Sequence, residues 1–177
     1  MSANTKKISL LSVGIALFVV LSLCLQVPVF ENYYLCLGYV VMAVYCYSFG
    51  IVAGTVVGCL GVVLYCLLTS GLRGMPGWAL GNVVIGVGLG LTFKATKSLK
   101  SKGTQYALWV GAVILFTALG ILGVKSLIDS LIKAQPFLVR AGKNIYAFVA
   151  DIVVLLVSLP VCMNLDRVAK KMFPELV

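Results

Sequence analysis

The chain has 177 residues, of which 62% are hydrophobic and 11% charged, with a formal net charge of +9; its mean hydropathy is +1.12. Ordinary soluble chains are about 45–50% apolar, so this composition excludes a water-soluble domain and predicts an all-α membrane bundle in one domain, residues 1–177. Helices are favoured over a β-barrel because the apolar runs are continuous and do not alternate. The basic excess flanks those runs, where it sets topology and meets anionic lipid rather than nucleic acid.

A helical span takes about 20 residues at 1.5 Å per residue. Six transmembrane helices fit the chain on that measure. Helix 1, about 8–26, follows Lys6 and Lys7. It imitates a secretory signal, yet it is longer than a signal core. Gln26-Val27-Pro28 stands where a small-residue cleavage site would be, so the run is read as a retained span. Tyr33–Ser70 is 38 residues without a charge, long enough for two spans. Gly50 near its middle is the natural turn, giving helices at about 33–49 and 51–70. Helices at about 77–94, 106–125 and 144–163 complete the set.

The connections on one side are the shaped ones. The first holds Pro28 and Glu31, and the third, Thr69-Ser-Gly-Leu-Arg-Gly-Met-Pro-Gly77, reads as a tight turn. The fifth is long. In it Leu127, Ile128, Leu131 and Ile132 share a helical face opposite Asp129 and Lys133, and Gln135-Pro136 favours a stop. This predicts a short interfacial helix at about 127–135, or a connector resting on the membrane.

Loop charge orients the bundle. With the N-terminus inside, the cytoplasmic segments hold nine basic residues: Lys6, Lys7, Lys94, Lys97, Lys100, Lys102, Arg167, Lys170 and Lys171. The outer segments hold five: Arg73, Lys125, Lys133, Arg140 and Lys143. Basic residues favour the cytoplasmic side, so both termini are expected there.

Asp151 lies inside the last apolar run, Ile145 to Met163. An ionisable group in a span costs roughly 2.5–3.5 kcal/mol on insertion scales, and such groups face bundle interiors or polar cavities. The other reading is an aspartate reaching back to water or to Lys143. Trp78 and Asn82 are four residues apart and share a helix face. An aromatic plane with an amide suits a flat polar heterocycle. Separately, Trp78 is a belt residue and Asn82 an interhelical hydrogen bond. Asn144, Tyr146, Arg73 and Glu31 fall at the same level. Each is a candidate contact, or else a cap, a belt residue or a solvated loop charge.

Small residues carry a second pattern. Ser12-x3-Ala16 lies on helix 1, Gly50-x3-Gly54-x3-Gly58 on helix 3, and Gly86, Gly88 and Gly90 on helix 4. Small-xxx-small faces let helices approach closely. Those of helices 3 and 4 belong inside the bundle, and helix 1 is the candidate for docking a partner.

Several chemistries drop out. The chain has no histidine, which removes histidine metal sites and Ser-His or Cys-His nucleophiles. The six cysteines lie in apolar runs without a C-x-x-C pair and read as small buried hydrophobes. No phosphate-binding loop of the G-x-x-x-x-G-K-[ST] type is present. No metal, cofactor or enzymatic centre is expected.

A basic N-terminus precedes ISLLSVGIALFVVLSLCLQVPVF, and YYLCLGYVVMAVYCYSFGIVAGTVVGCLG and LRGMPGWALGNVVIGVGLGL follow. These phrases, spread over six helices, resemble the S component of an energy-coupling factor (ECF) vitamin transporter. The closest likeness is to the riboflavin-type S-component family and its pyridoxine- or hydroxymethylpyrimidine-like subgroup. The resemblance covers most of residues 8–163. It implies a subunit of an ABC-type importer in the cell membrane that binds a vitamin near its outer face. Such a subunit docks onto a transmembrane coupling protein (the T component) served by two cytoplasmic ATPases, and topples to release the vitamin inside. It also implies that a small-residue stripe on helix 1 meets the coupling protein; Ser12 and Ala16 match that spacing, with serine at the first position. The family's site draws on loops 1, 3 and 5 with helices 4 to 6, where the residues above lie.

Met1-Ser-Ala-Asn-Thr5 lacks the histidine of metal-ion S components. A flat, mostly neutral ring is therefore expected, with riboflavin, pantothenate and cobalamin as other options. Two readings of a different class stand beside this one: a proton-coupled secondary carrier using Asp151, or a structural bundle without a ligand. No internal repeat is evident, which counts against a carrier of inverted halves.

Overall fold

The computed structural model describes residues 3–24, 27–30, 33–99 and 101–172. Helices dominate: α1 (Ala3–Cys24), α2 (Gly38–Ser48), α3 (Ile51–Leu68), α4 (Met75–Thr96), α5 (Lys102–Thr117), α6 (Ser126–Lys133) and α7 (Phe137–Met172). A π-helical segment, Ala118–Lys125, joins α5 to α6 without a break. Between α1 and α2 lies a hairpin, β1 (Val27–Phe30) antiparallel to β2 (Tyr33–Leu35). The fold is an all-α membrane bundle with this one small hairpin.

Among the described residues, five helical stretches are long and apolar enough to cross a membrane: Thr5–Cys24, Ile51–Leu68, Met75–Thr96, Lys102–Lys133 and Phe137–Lys171. The 11-residue α2 rises only about 16 Å at 1.5 Å per residue. A helix was expected from residue 33, but Tyr33–Leu35 pairs with Val27–Phe30 instead. The strand satisfies backbone groups across the chain reversal that a helix start would leave unpaired. Gly50, at φ 91° and ψ 179°, turns the chain between α2 and α3, a conformation open to glycine at little cost.

Two boundaries differ in extent from expectation. The short helix expected at about 127–135 is α6, Ser126–Lys133, which continues the α5 stretch through the π-helical segment. Leu127, Leu131 and Ile132 are exposed while Ser126 and Asp129 are buried. Its polar face turns inward and its leucines outward. The last helix likewise runs from Phe137 to Met172 rather than only across 144–163. Continuing the helix satisfies the backbone beyond the apolar run.

Large apolar side chains cover the outside, including Val13, Leu17 and Val20 on α1 and Val149, Val153 and Val157 on α7. The interior combines Phe18, Tyr39, Met42, Phe93, Trp109 and Leu155 with small residues and a few polar groups. Lipid tails are as apolar as leucine, so burial of apolar surface does little to pull helices together. Close packing and buried hydrogen bonds must do it. At Gly54 a Cβ would lie 2.6 Å from the backbone nitrogen of Cys46, so α2 and α3 touch backbone to backbone.

One end of the bundle is closed by polar contacts. Lys97 Nζ donates to the Tyr47 carbonyl at 2.6 Å and sits 4.6 Å above the Tyr47 ring. Asp166 faces Lys170 at 2.6 Å and Lys97 at 4.0 Å. Trp109 Nε1 donates to Thr96 Oγ1 at 2.6 Å, and its ring meets those of Tyr47, Phe93 and Tyr106.

Gly54→Ala is expected to lower the melting temperature in detergent. Overpacking costs about 1–3 kcal/mol, and each kcal/mol shifts Tm by roughly 2–4 °C at this size. Gly111, whose Cβ would meet nothing within 4 Å, is the control: Gly111→Ala should leave Tm unchanged or raise it. Equal losses from both variants would contradict the close α2–α3 contact.

Candidate functional site

The opposite end is open, and three local features build it. The first is the turn before α4. Gly71 N donates to Cys66 O at 2.9 Å, Gly74 N to Gly71 O at 3.1 Å and Trp78 N to Gly74 O at 3.1 Å. Ser70 takes a positive φ of 58°, and Pro76 sits in the first turn of α4, where its missing N–H costs nothing. This tight reversal delivers Trp78 edge-on to Tyr65 of α3, with centroids 5.6 Å apart and planes at 79°.

The second is a hydrogen-bonded chain through Tyr39. Trp78 Nε1 donates to the Tyr39 hydroxyl at 2.9 Å. That hydroxyl donates to Asn82 Oδ1 at 2.7 Å, and Asn82 Nδ2 donates to the Gly58 carbonyl at 2.9 Å. The chain ties α2, α3 and α4 together. Asp151 of α7 is 4% exposed; its carboxyl group lies beside the same tyrosine and in the attractive field of Lys125.

The third is the wide turn of the π-helical segment. Gly120 crosses Gly81 so closely that a Cβ on either would come within 2.8 Å of the other's carbonyl oxygen. Ser126 Oγ donates to Ile121 O five residues back at 3.0 Å, and Asn144 Nδ2 donates to Ser126 Oγ at 2.9 Å. The start of α7 is thereby fastened to α6. Lys125 ends the wide turn, with Nζ 5.7 Å from the Trp78 ring centroid. Such π turns often mark functional sites.

Between these features opens a cavity of about 200 Å³, lined by Tyr65, Cys66, Thr69, Gly71, Gly74, Trp78, Lys125, Asp129, Lys133, Arg140 and Asn144. Of the residues singled out from sequence, Trp78 and Asn144 line it directly. Asn82 and Asp151 do not. Asn82 is fully buried with both ends of its amide bonded to protein. Asp151 reaches the cavity through Lys125. Arg73 is exposed on the turn and Tyr146 is 42% exposed on α7; neither lines the cavity. Glu31 lies outside the described residues. On the far side, Ser12 and Ala16 are exposed along α1, while Gly14 between them packs on Tyr45 and Val57.

Sequence reasoning missed Tyr39, Tyr65, Lys125, Asp129, Lys133 and Arg140. One signal was available: Lys125, Asp129 and Lys133 recur every four residues, which places them on one helix face. Nothing in the sequence distinguishes Tyr39 from the other tyrosines of the second run. Among the described residues, no group of three or more His, Cys, Asp or Glu side chains is placed to hold a metal, and the six cysteines are free thiols.

Tyr39→Phe would strip a partner from both Trp78 Nε1 and Asn82 Oδ1. Leaving a buried polar group unpaired costs about 1–3 kcal/mol, so Tm in detergent should drop by several degrees. A variant as stable as the parent would show that the hydroxyl does not join these helices.

The family model described as ECF-type riboflavin transporter, S component, matches residues 2–167. A comparison with curated proteins finds no match. The family match runs from α1 into α7 and takes in every residue of the cavity wall. The chain therefore belongs to the family of ECF-type riboflavin transporter S components.

Proposed function

We propose that this chain captures a small vitamin with a single heterocyclic ring, pyridoxine- or hydroxymethylpyrimidine-like, in the cavity beside Trp78. As a family member it is a vitamin-binding subunit of a transporter and a multi-pass protein of the cell membrane. ECF S components work with a T component and ATPases. In the proposed cycle a transmembrane coupling protein and two cytoplasmic ATPases energise release, and hydrolysis belongs to those partners.

The cavity carries the reading. The Trp78 ring borders it with Tyr65 and Lys125, which suits the face of a flat heterocycle. Its volume of about 200 Å³ is below the roughly 300–1,000 Å³ of pockets for drug-sized ligands. That favours one ring over the three fused rings of a flavin. Asn144 contributes an amide at the wall, and Asn82 and Asp151 support Trp78 and Lys125 from behind. Arg73, Tyr146 and Glu31 are proposed as rim contacts made when solute is bound.

Orientation follows from charge. The closed end carries the cluster around Lys94–Lys102 and Arg167–Lys171, and the cavity end carries fewer basic residues. The positive-inside tendency supports a cavity opening outward with both termini in the cytoplasm. The exposed Ser12 and Ala16 on α1 are proposed as the docking stripe, since small side chains let a partner helix come close.

Native mass spectrometry of the detergent-purified protein from rich medium tests the solute. A retained mass equal to a pyridoxine- or hydroxymethylpyrimidine-type vitamin supports the proposal. A flavin mass overturns the choice of ring and leaves the transport role. Two variants separate the faces. Asp151→Ala should weaken vitamin binding about tenfold, or ~1.4 kcal/mol, with partner assembly unchanged. Ala16→Leu should impair assembly and leave binding intact. If each variant shows both defects, the division into two faces is wrong.

A further inference from the structure

The charged groups of the cavity are not balanced among themselves. Lys125, Lys133 and Arg140 bring three cationic groups to the wall, and Asp129 brings one carboxylate. Asp151 acts on Lys125 from outside the lining. Even with it counted, three positive groups face two negative ones. Lys125 lies in the attractive field of both carboxylates, which leaves Lys133 and Arg140 as the side of the wall with excess positive charge.

Two atoms on that wall have no hydrogen-bond partner among the described residues: Asp129 Oδ1, an acceptor, and Arg140 Nε, a donor. Asp129 is 2% exposed, and Arg140 is half-buried. A buried polar group left unpaired is costly, and a charged one more so. The pair is also held in place. Asp129 is on the inward face of α6, and Asn144, one turn after Arg140 on α7, is bonded to Ser126 at the start of α6. An orphaned acceptor and an orphaned donor beside one aromatic plane suit a molecule that offers the complement of both.

We propose that the solute carries an anionic group, a carboxylate or a phosphate, in addition to its ring. Arg140 and Lys133 receive the anion, Trp78 receives the ring face, and Asp129 accepts an N–H or O–H from the ring. A guanidinium presents a planar fork of donors that matches either oxyanion. This assignment rests on the reading of the cavity as the vitamin site and narrows its substrate class to relatives of those single-ring vitamins that carry an anionic group.

Titration calorimetry of the full-length protein in detergent tests it with matched probes: pyridoxine, pyridoxine 5′-phosphate and 4-pyridoxate, then hydroxymethylpyrimidine and its phosphate. At least one anionic member of a set should bind about tenfold or more tightly than its neutral parent, the size expected for a charge-assisted contact. The phosphate and carboxylate arms tell which anion is preferred. Arg140→Gln should abolish that preference, so that anionic and neutral members of a set bind alike, and Lys133→Gln should reduce it in part. A neutral ring that binds as tightly as its anionic derivatives overturns the anion assignment and leaves the vitamin site standing. An Arg140→Gln variant that weakens neutral and anionic probes alike overturns it in the same way. Failure of every probe to bind overturns both readings.

Discussion

A polar group inside this bundle has no water to turn to, and the Tyr39 hydroxyl is where that constraint concentrates. It accepts from Trp78, donates to Asn82 and meets Asp151. Helices α2, α4 and α7 meet at this oxygen atom, and Asn82 passes the connection on to Gly58 of α3. In lipid the helices are not driven together by their apolar faces. A satisfied polar node of this kind therefore sets their register, because sliding any helix by one turn would orphan its partner. The glycine contacts at Gly54 and at Gly81–Gly120 let the backbones come near enough for the node to close.

The two ends of the bundle use similar residues differently. At the closed end Lys97, Asp166 and Lys170 bind one another or the Tyr47 carbonyl, and the aromatic rings fill the space between helices. At the open end Lys125, Lys133 and Arg140 surround a cavity in which Asp129 Oδ1 and Arg140 Nε stay unpartnered. Unpartnered buried atoms occur at both ends, Asp166 Oδ1 at the closed one included, but at the open end they stand in the wall of a cavity.

The wide turn at Ala118–Lys125 links the two roles. It begins where Gly120 crosses Gly81 and ends by placing Lys125 over Trp78. A regular α-helix of the same sequence would rotate each later residue relative to the bundle, since a π turn takes more residues per revolution. The inward aim of Asp129 and the outward aim of Leu127 and Leu131 depend on that rotation.

Composition and run length were enough to read the membrane bundle, because an apolar stretch of about 20 residues has few other stable fates. The short phrases around Gly50 and Trp78 were enough to suggest the family. The four-residue spacing of Trp78 and Asn82 placed them on one face, and their actual bonds run through a third residue, Tyr39. Only the tertiary structure decided that Asn82 is a structural tie and that α6 turns its charges inward. It also raised Lys125, Asp129, Lys133 and Arg140 from loop charges to a cavity wall. Helical spacing is local and can be read along the chain. Which face meets lipid and which meets another helix depends on packing between segments far apart in sequence.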